Sequence, residues 1–250
     1  MADRDLLINH CNESLRLHEY HDYGPMGLQY AGAENATKIA AAVSVNVDVI
    51  ERAASEGANF LIVHHGLFWN NESRIDAPWQ RRLKALEDAK MTLVSYHLAL
   101  DGHPTMGNNI LLARALGLGK LTPWEGIGWS GEYREPMHSS VFYGHASKKL
   151  QLPHDEGLAF LRREPFEVHK VAVIAGGAAQ YIVHAKRDGF DTFVTGEPSE
   201  TSYNLAHDLD MNFLALGHDK TERAGVQALA RQVSKRFRVP WVFIPSDNPV

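Results

Sequence analysis

Cysteine is almost missing from this chain. Cys11 is the only one in 250 residues, so no intrachain disulfide can form, which fits a cytoplasmic protein. Cys11 is expected to pack within the first helix rather than act as a nucleophile. Long apolar runs are missing too. None approaches the ~18 residues of a membrane-spanning helix, and the opening Met-Ala-Asp-Arg-Asp-Leu-Leu lacks the basic and apolar regions of a signal peptide. Nor is there an excess of positive charge. A net charge of −5 argues against a dedicated nucleic-acid binder, which usually presents a basic surface. With 44% hydrophobic and 22% charged residues, the composition is that of an ordinary globular chain with room for one large or two small domains. Histidine is the exception: there are 14, and their positions matter more than their number.

Two of them close the stretch around which the rest is organised. Phe60-Leu61-Ile62-Val63 reads as a buried strand of the parallel type, ended by His64-His65-Gly66 and followed by Leu67-Phe68-Trp69. Ligands in open α/β sheets collect at the carboxyl ends of such strands. In a regular strand the two histidines face opposite ways. Both reach one site only if the chain bends there, and Gly66 permits the bend. The plain alternative is two hydrogen-bonded histidines at a strand end, and this stretch alone does not separate it from metal binding.

Along the chain, residues 3–18 read as a helix and 22–32, rich in glycine with one proline, as a loop. A strand over 39–45 precedes a helix over 48–56, which Gly57 caps. A helix over 79–89, a strand over 91–96 and a helix over 108–116 follow. Residues 121–137 read as an irregular connection, 141–143 as a strand and 154–161 as a helix. The second half then repeats the first. Strand, loop, helix and glycine over 39–57 recur over 171–189 with a constant offset, pairing Ala40 with Ala172, Ile50 with Ile182 and Gly57 with Gly189. Residues 60–63 correspond to 192–195, and 91–96 to 211–216. The expectation is therefore an α/β fold of two pseudo-repeated lobes with mainly parallel sheets. The first lobe covers 1–123 and carries His64, His65 and Asp101. A connecting segment covers 124–167, and the second lobe covers 168–250 with His218 and Glu222, interleaving of the lobes being allowed. Gly176-Gly177 sits where a phosphate could bind, but lacks the full dinucleotide spacing, so a tight turn is the better reading.

Four strand ends carry polar groups: His64-His65, His97 with Asp101, Gly196-Glu197, and His218 with Glu222. His218 and Glu222 are four apart and share one side of a helix that starts near Asp219. Imidazole and carboxylate ligands suit Zn, Fe, Mn, Co or Ni. Five or six of them exceed the needs of one tetrahedral catalytic ion, whereas two ions about 3.5–4 Å apart, bridged by a carboxylate, would use them. Singly, each has a plainer role. His97 pairs with Asp101 to fix a loop, His218 caps a helix, Glu222 is a helix-surface carboxylate, and Glu197 steadies the start of the next helix. His103 reads as a loop residue, His10, His18 and His21 as surface residues, and His207 as a helix residue. Jointly, their placement at parallel strand ends favours a metal site.

The motifs Asp22 to Gly32 with its Gly-Leu-Gln, Val63-His64-His65-Gly66, Tyr96-His97-Leu98-Ala99-Leu100-Asp101, Gly107-Asn108-Asn109, Thr195-Gly196-Glu197 and Gly217-His218-Asp219-Lys220-Thr221-Glu222-Arg223 together resemble one family. It is the NIF-three-like family of dinuclear metal-centre proteins, also labelled GTP cyclohydrolase I type two homologues. The resemblance covers nearly the whole chain. It implies two α/β lobes per subunit and a toroidal homohexamer, a trimer of dimers, with metal pairs facing the inner cavity. It implies two divalent ions per chain (Fe, Zn, Mn or Ni), with His64, His65, Asp101, His218 and Glu222 as ligands and His97 as a ligand or close neighbour. On this basis the chain is expected to be a cytoplasmic metal-dependent hydrolase acting on a nucleotide, a phosphoester or a cyclic amide. His97 is the candidate proton carrier and Glu197 a candidate for orienting water or substrate. Phe68 and Trp69 stack on a base or belong to the core or an interface. The alternative is a non-catalytic metal-trafficking or adaptor protein.

Overall fold

The computed structural model describes residues 1–69, 74–152, 157–160, 167–248 and 250. They form two units: residues 1–100 with 225–247, and residues 101–224 with 248–250.

The first unit is built on a five-stranded sheet in the order Trp241–Phe243, Ile39–Ser44, Phe60–His65, Thr92–Ser95, Gly27–Tyr30. The first four strands run parallel and the last pairs antiparallel. Val47–Ser55 is helical because Val49, Ile50 and Ala53 fall on one face and pack on Leu61, Val63 and Leu93 of the sheet. Asn46 starts it by accepting a hydrogen bond from the Val49 amide at 2.8 Å. Asp76 caps the helix Ala77–Asp88 in the same way. Phe60, Leu61, Ile62 and Val63 are fully buried, and each contributes at most about 1.5–3 kcal/mol by leaving water.

The second unit holds a six-stranded sheet in the order Gly119–Trp124, Gly128–His138, Glu167–Val173, Thr192–Thr195, Asn212–Ala215, Leu158–Phe160. Glu167–Val173 pairs with Thr192–Thr195, and Thr192–Thr195 with Asn212–Ala215, both in parallel; the strands on either side pair antiparallel. The repeat expected from sequence is therefore present: Ile39–Ser44, Phe60–His65 and Thr92–Ser95 have counterparts in Glu167–Val173, Thr192–Thr195 and Asn212–Ala215. The matched glycines also agree, Gly57 and Gly189 both taking positive φ, 77° and 83°, after their helices.

Several local expectations are corrected. Residues 121–137 are not an irregular connection but the larger part of the hairpin Gly119–Trp124 and Gly128–His138, whose glycines Gly126 and Gly128 serve its turn. Val141 to Tyr143 lie in the helix Ser139–Leu150, because Phe142 and Ala146, four apart, are positions it buries. Of 154–161, only 157–160 are described and they contain a strand, Leu158–Phe160; the rest of that expected helix lies outside the described residues. The loop at 22–32 contains the edge strand Gly27–Tyr30. The first helix stops at Ser14 because Arg16 turns left-handed, with a short helical turn following at Leu17–Glu19. Asp101 belongs to the second unit, and 225–247 return to the first because Trp241–Phe243 adds a parallel strand beside Ile39–Ser44. Among the described residues, no helix is long and apolar enough to cross a membrane.

Candidate metal centre

In the first unit the strand Phe60–His65 continues through both histidines instead of ending at Val63. The chain leaves the strand at Gly66 and bends at Leu67, and Gly66 has a packing role as well. A side chain there would collide with the Gln29 amide at 2.2 Å, and Gln29 uses that space to accept from the Leu67 amide and donate to the Pro25 carbonyl. The His64, His65 and His97 rings come together, with centroids 4.5, 4.9 and 5.5 Å apart. One nitrogen from each lies within 4.8 Å of the others.

Each ring is held at Nδ1. His64 Nδ1 donates to the Tyr96 carbonyl at 3.0 Å, His65 Nδ1 pairs with Ser44 Oγ at 2.9 Å, and His97 Nδ1 donates to Asp22 Oδ1 at 2.8 Å. An imidazole held in this way ligates a metal through Nε2. Asp22 is almost completely buried and also accepts from the Leu98 amide at 2.8 Å. Burial works against its charge, but the His97 hydrogen bond and charge, with the Leu98 and Tyr23 amides, hold its carboxyl below the usual range. Reading the sequence missed Asp22. Its only signal was a carboxylate opening a glycine-rich loop, a pattern that equally suits a turn. His97 does not form the pairing with Asp101 considered as its plain role; the carboxylate on its Nδ1 is Asp22.

Two aromatic residues flank these rings: Trp69 meets His97 edge-on at 5.1 Å, and Tyr23 is tilted to it at 6.1 Å. Phe68 instead packs on Trp79 at 5.1 Å.

In the second unit, the helix His218–Phe237 opens with His218, and Glu222 follows one turn later with Oε2 3.1 Å from His218 Nε2. Glu222 is buried rather than on the helix surface, and carboxylate oxygens of Asp101 and Glu222 lie within 4.8 Å of each other. Asn108 Nδ2 donates to Asp101 Oδ1 at 2.9 Å. His218 Nδ1 donates to Glu197 Oε1, so Glu197 orients an imidazole as Asp22 does in the first unit. Burial pulls the His218 pKa down, but Glu222 and then Glu197 outweigh it and raise it to about 9.

Gly176 is a tight turn with φ +68°, as its incomplete dinucleotide spacing suggested. It also makes room for the cluster, because a Cβ there would stand 2.1 Å from Glu222 Oε1. Thr195 Oγ1 donates to its carbonyl at 2.9 Å, and its amide donates to Thr221 Oγ1 at 3.1 Å. This cradle, which a side chain would fill, was not visible from sequence.

Three other histidines lie outside these clusters. His207 packs on Tyr203, His103 Nδ1 accepts from the Thr105 and Met106 amides in its loop, and the His18 side chain is exposed. The donor chemistry of both clusters fits first-row divalent transition ions: imidazoles steered through Nδ1 in one, and a steered imidazole with two buried carboxylates in the other.

Residues 2–249 match the family model described as Duf34/NIF3 (NGG1p interacting factor 3). The chain is 36% identical to a protein of Allochromatium vinosum named GTP cyclohydrolase 1 type 2 homolog, across 100% of this chain and 98% of that one. It is 37% identical to one of the same name from Chlamydia trachomatis serovar D, across 97% and 98%. Among solved structures it resembles the protein ybgI, described as of unknown function, with TM-score 0.93 and 34% identity over 99% of this chain and 100% of that one. It also resembles TTHA1606 from Thermus thermophilus, with TM-score 0.88 and 33% identity over 99% and 100%.

Proposed function

The chain belongs to the Duf34/NIF3 family, and from that premise we propose that it is a dinuclear metal-binding protein working as a metal-dependent hydrolase. The proposed ligands are His64, His65, Asp101, His218 and Glu222, holding two divalent ions of the Fe, Zn, Mn or Ni kind. The observation that carries this reading is the shared support of the four histidines: His64, His65, His97 and His218 are each held at Nδ1 by a protein partner. Such support fixes the ring and raises its basicity toward a metal. Bound ions would lower the pKa of water and polarise the attacked centre.

The residues of the chain do the rest. His97, oriented by the Asp22 carboxylate, can carry a proton at Nε2, as an imidazole held by a carboxylate does in other hydrolases. Glu197 keeps His218 oriented. Trp69 and Tyr23 beside His97 offer flat apolar faces to a ring-bearing substrate. The relatives' name, GTP cyclohydrolase 1 type 2 homolog, agrees with a substrate that is a nucleotide or a cyclic amide, and a phosphoester fits the same chemistry.

A panel of nucleotides, phosphoesters and cyclic amides, assayed with metal content measured in the same preparation, tests the proposal. Turnover that requires bound metal supports it. In that case His97→Ala keeps both ions and lowers kcat by about 10²–10⁴-fold, the loss typical of an acid–base group. If metal content falls along with the rate, His97 is a ligand instead. A metal-loaded protein that turns over nothing favours the trafficking or adaptor role. We also propose a homohexamer, for which light scattering should give the mass of six chains; a monomer at micromolar concentrations would refute it.

A further inference from the structure

A cavity of about 440 Å³ in the first unit is lined by His10, Gln232, Lys235, Arg236 and Arg238. None of these belongs to either ligand cluster. The chain carries a net −5, yet three of these five residues are permanent cations. Among the described residues none of the three forms an ion pair with a carboxylate. Lys235 and Arg236 lie in the last turn of the helix His218–Phe237, where positive charge complements the helix dipole. That accounts for one or two of the charges, but Arg238 lies beyond the helix and adds a third.

The remaining walls have unused hydrogen-bonding capacity. His10 Nε2 and Gln232 Oε1 are buried and make no hydrogen bond among the described residues. A buried polar atom without a partner is costly, and a ligand can supply one. The His10 ring meets Phe237 edge-on at 5.4 Å, and the Arg236 guanidinium lies 5.8 Å from the centre of the same ring. His10 and Arg236 thus share one aromatic support, which limits how far either can drift. Burial first, and then the Arg236 charge, hold the His10 imidazole below its ordinary pKa against the opposing pull of Glu13.

We propose that this cavity binds a phosphorylated small molecule through its phosphate groups. Three cations on one lining call for more than one negative charge, and a single carboxylate would leave two of them unmatched. The arginine forks pair with phosphate oxygens in two-pronged fashion, and a neutral His10 can donate from Nε2 to another oxygen. The volume suits a mononucleotide-sized ligand. A nucleic-acid strand would need basic charge extending well beyond a five-residue cavity.

Isothermal titration of the metal-loaded full chain with pyrophosphate, ATP and adenosine tests this. Pyrophosphate and ATP should bind, more weakly as salt is raised, and adenosine should not. The double variant Lys235→Glu with Arg238→Glu should weaken both by at least tenfold while its metal content stays at the wild-type value. Lys235→Arg with Arg238→Lys should keep the affinity. Tighter binding of ATP than of pyrophosphate identifies a nucleotide and equal binding a phosphate group alone; both uphold the site. It is overturned if the charge-reversed variant binds pyrophosphate like wild type, because the anion is then held elsewhere, the metal clusters included. No binding below millimolar concentration, or a single-stranded oligonucleotide that outcompetes ATP, overturns it too. Since the measurement is binding at residues outside both clusters, the result stands or falls independently of hydrolysis.

Discussion

The histidine cluster of the first unit and the acidic cluster of the second steer their imidazoles alike but differ in charge. In the first, three rings are held by a peptide carbonyl, a hydroxyl and a carboxylate. In the second, one imidazole is flanked by the buried Glu222 and the partly exposed Glu197, and a second buried carboxylate, Asp101, lies near Glu222. Buried carboxylates close together are unfavourable without a cation. A protonated His218 supplies one beside Glu222, and Glu222 and then Glu197 raise its pKa to about 9 against the opposing effect of burial. Under the proposed metal-binding role the two would contribute differently: the acidic cluster would supply charge, and the imidazole cluster a preference for transition ions over harder ones.

The largest expected effect breaks the acidic side of this contrast. We propose that Glu222 is the carboxylate shared by both ions, so Glu222→Ala should take metal content from two ions per chain toward none, a deeper loss than in His64→Ala, as read by elemental analysis of protein purified without added metal. Full metal content in Glu222→Ala would remove it from the ligand set. Next, Gly176→Ala should displace the Glu222 carboxylate, because its Cβ would stand 2.1 Å from Oε1 and its φ is +68°. A loss of about 1–3 kcal/mol is expected, from a strained backbone and a displaced buried charge, together with reduced metal content. Thermal denaturation beside Gly144→Ala, where nothing lies within 4 Å of the added carbon, provides the reference.

A reversible test follows from His218. A metal ion takes the imidazole only after the proton leaves, and below pH about 9 the ion-free ring holds that proton. Apparent metal affinity at the acidic cluster should therefore rise with pH, by up to about tenfold per unit between roughly 6.5 and 9. Titration of chelator-stripped protein at several pH values checks this, and a flat profile would detach His218 from the metal. The smallest effect sharpens the other side. Asp22→Asn weakens the support of His97 and should lower activity or metal affinity by about 10–100-fold while leaving the fold intact. An unchanged variant would show that Asp22 only ties its loop to Leu98.

Much of this was legible in advance. The strand at 60–63, the amphipathic helix after Asn46 and the 39–57 to 171–189 repeat depend on patterns only a few residues long, and the structure reproduces them. The hairpin at Gly119–Trp124 and Gly128–His138 was hidden because its many glycines and prolines imitate a loop. Helix Ser139–Leu150 was hidden because Val141-Phe142-Tyr143 has strand propensity, which burial of Phe142 and Ala146 overrides.

By itself the sequence determined which residue types stand at the strand ends and that they are of the metal-ligating kind, because chain order and hydrophobic period place those ends. Only the tertiary structure decided what steers each of these side chains. Asp22 reaches His97 across 75 residues, Glu197 reaches His218 across 21, and Gly176 clears space for Glu222 from a separate turn. Hydrogen bonds and close contacts of that range act over a few ångströms in space and leave no period in the sequence, so they exist only once the sheets bring distant segments side by side.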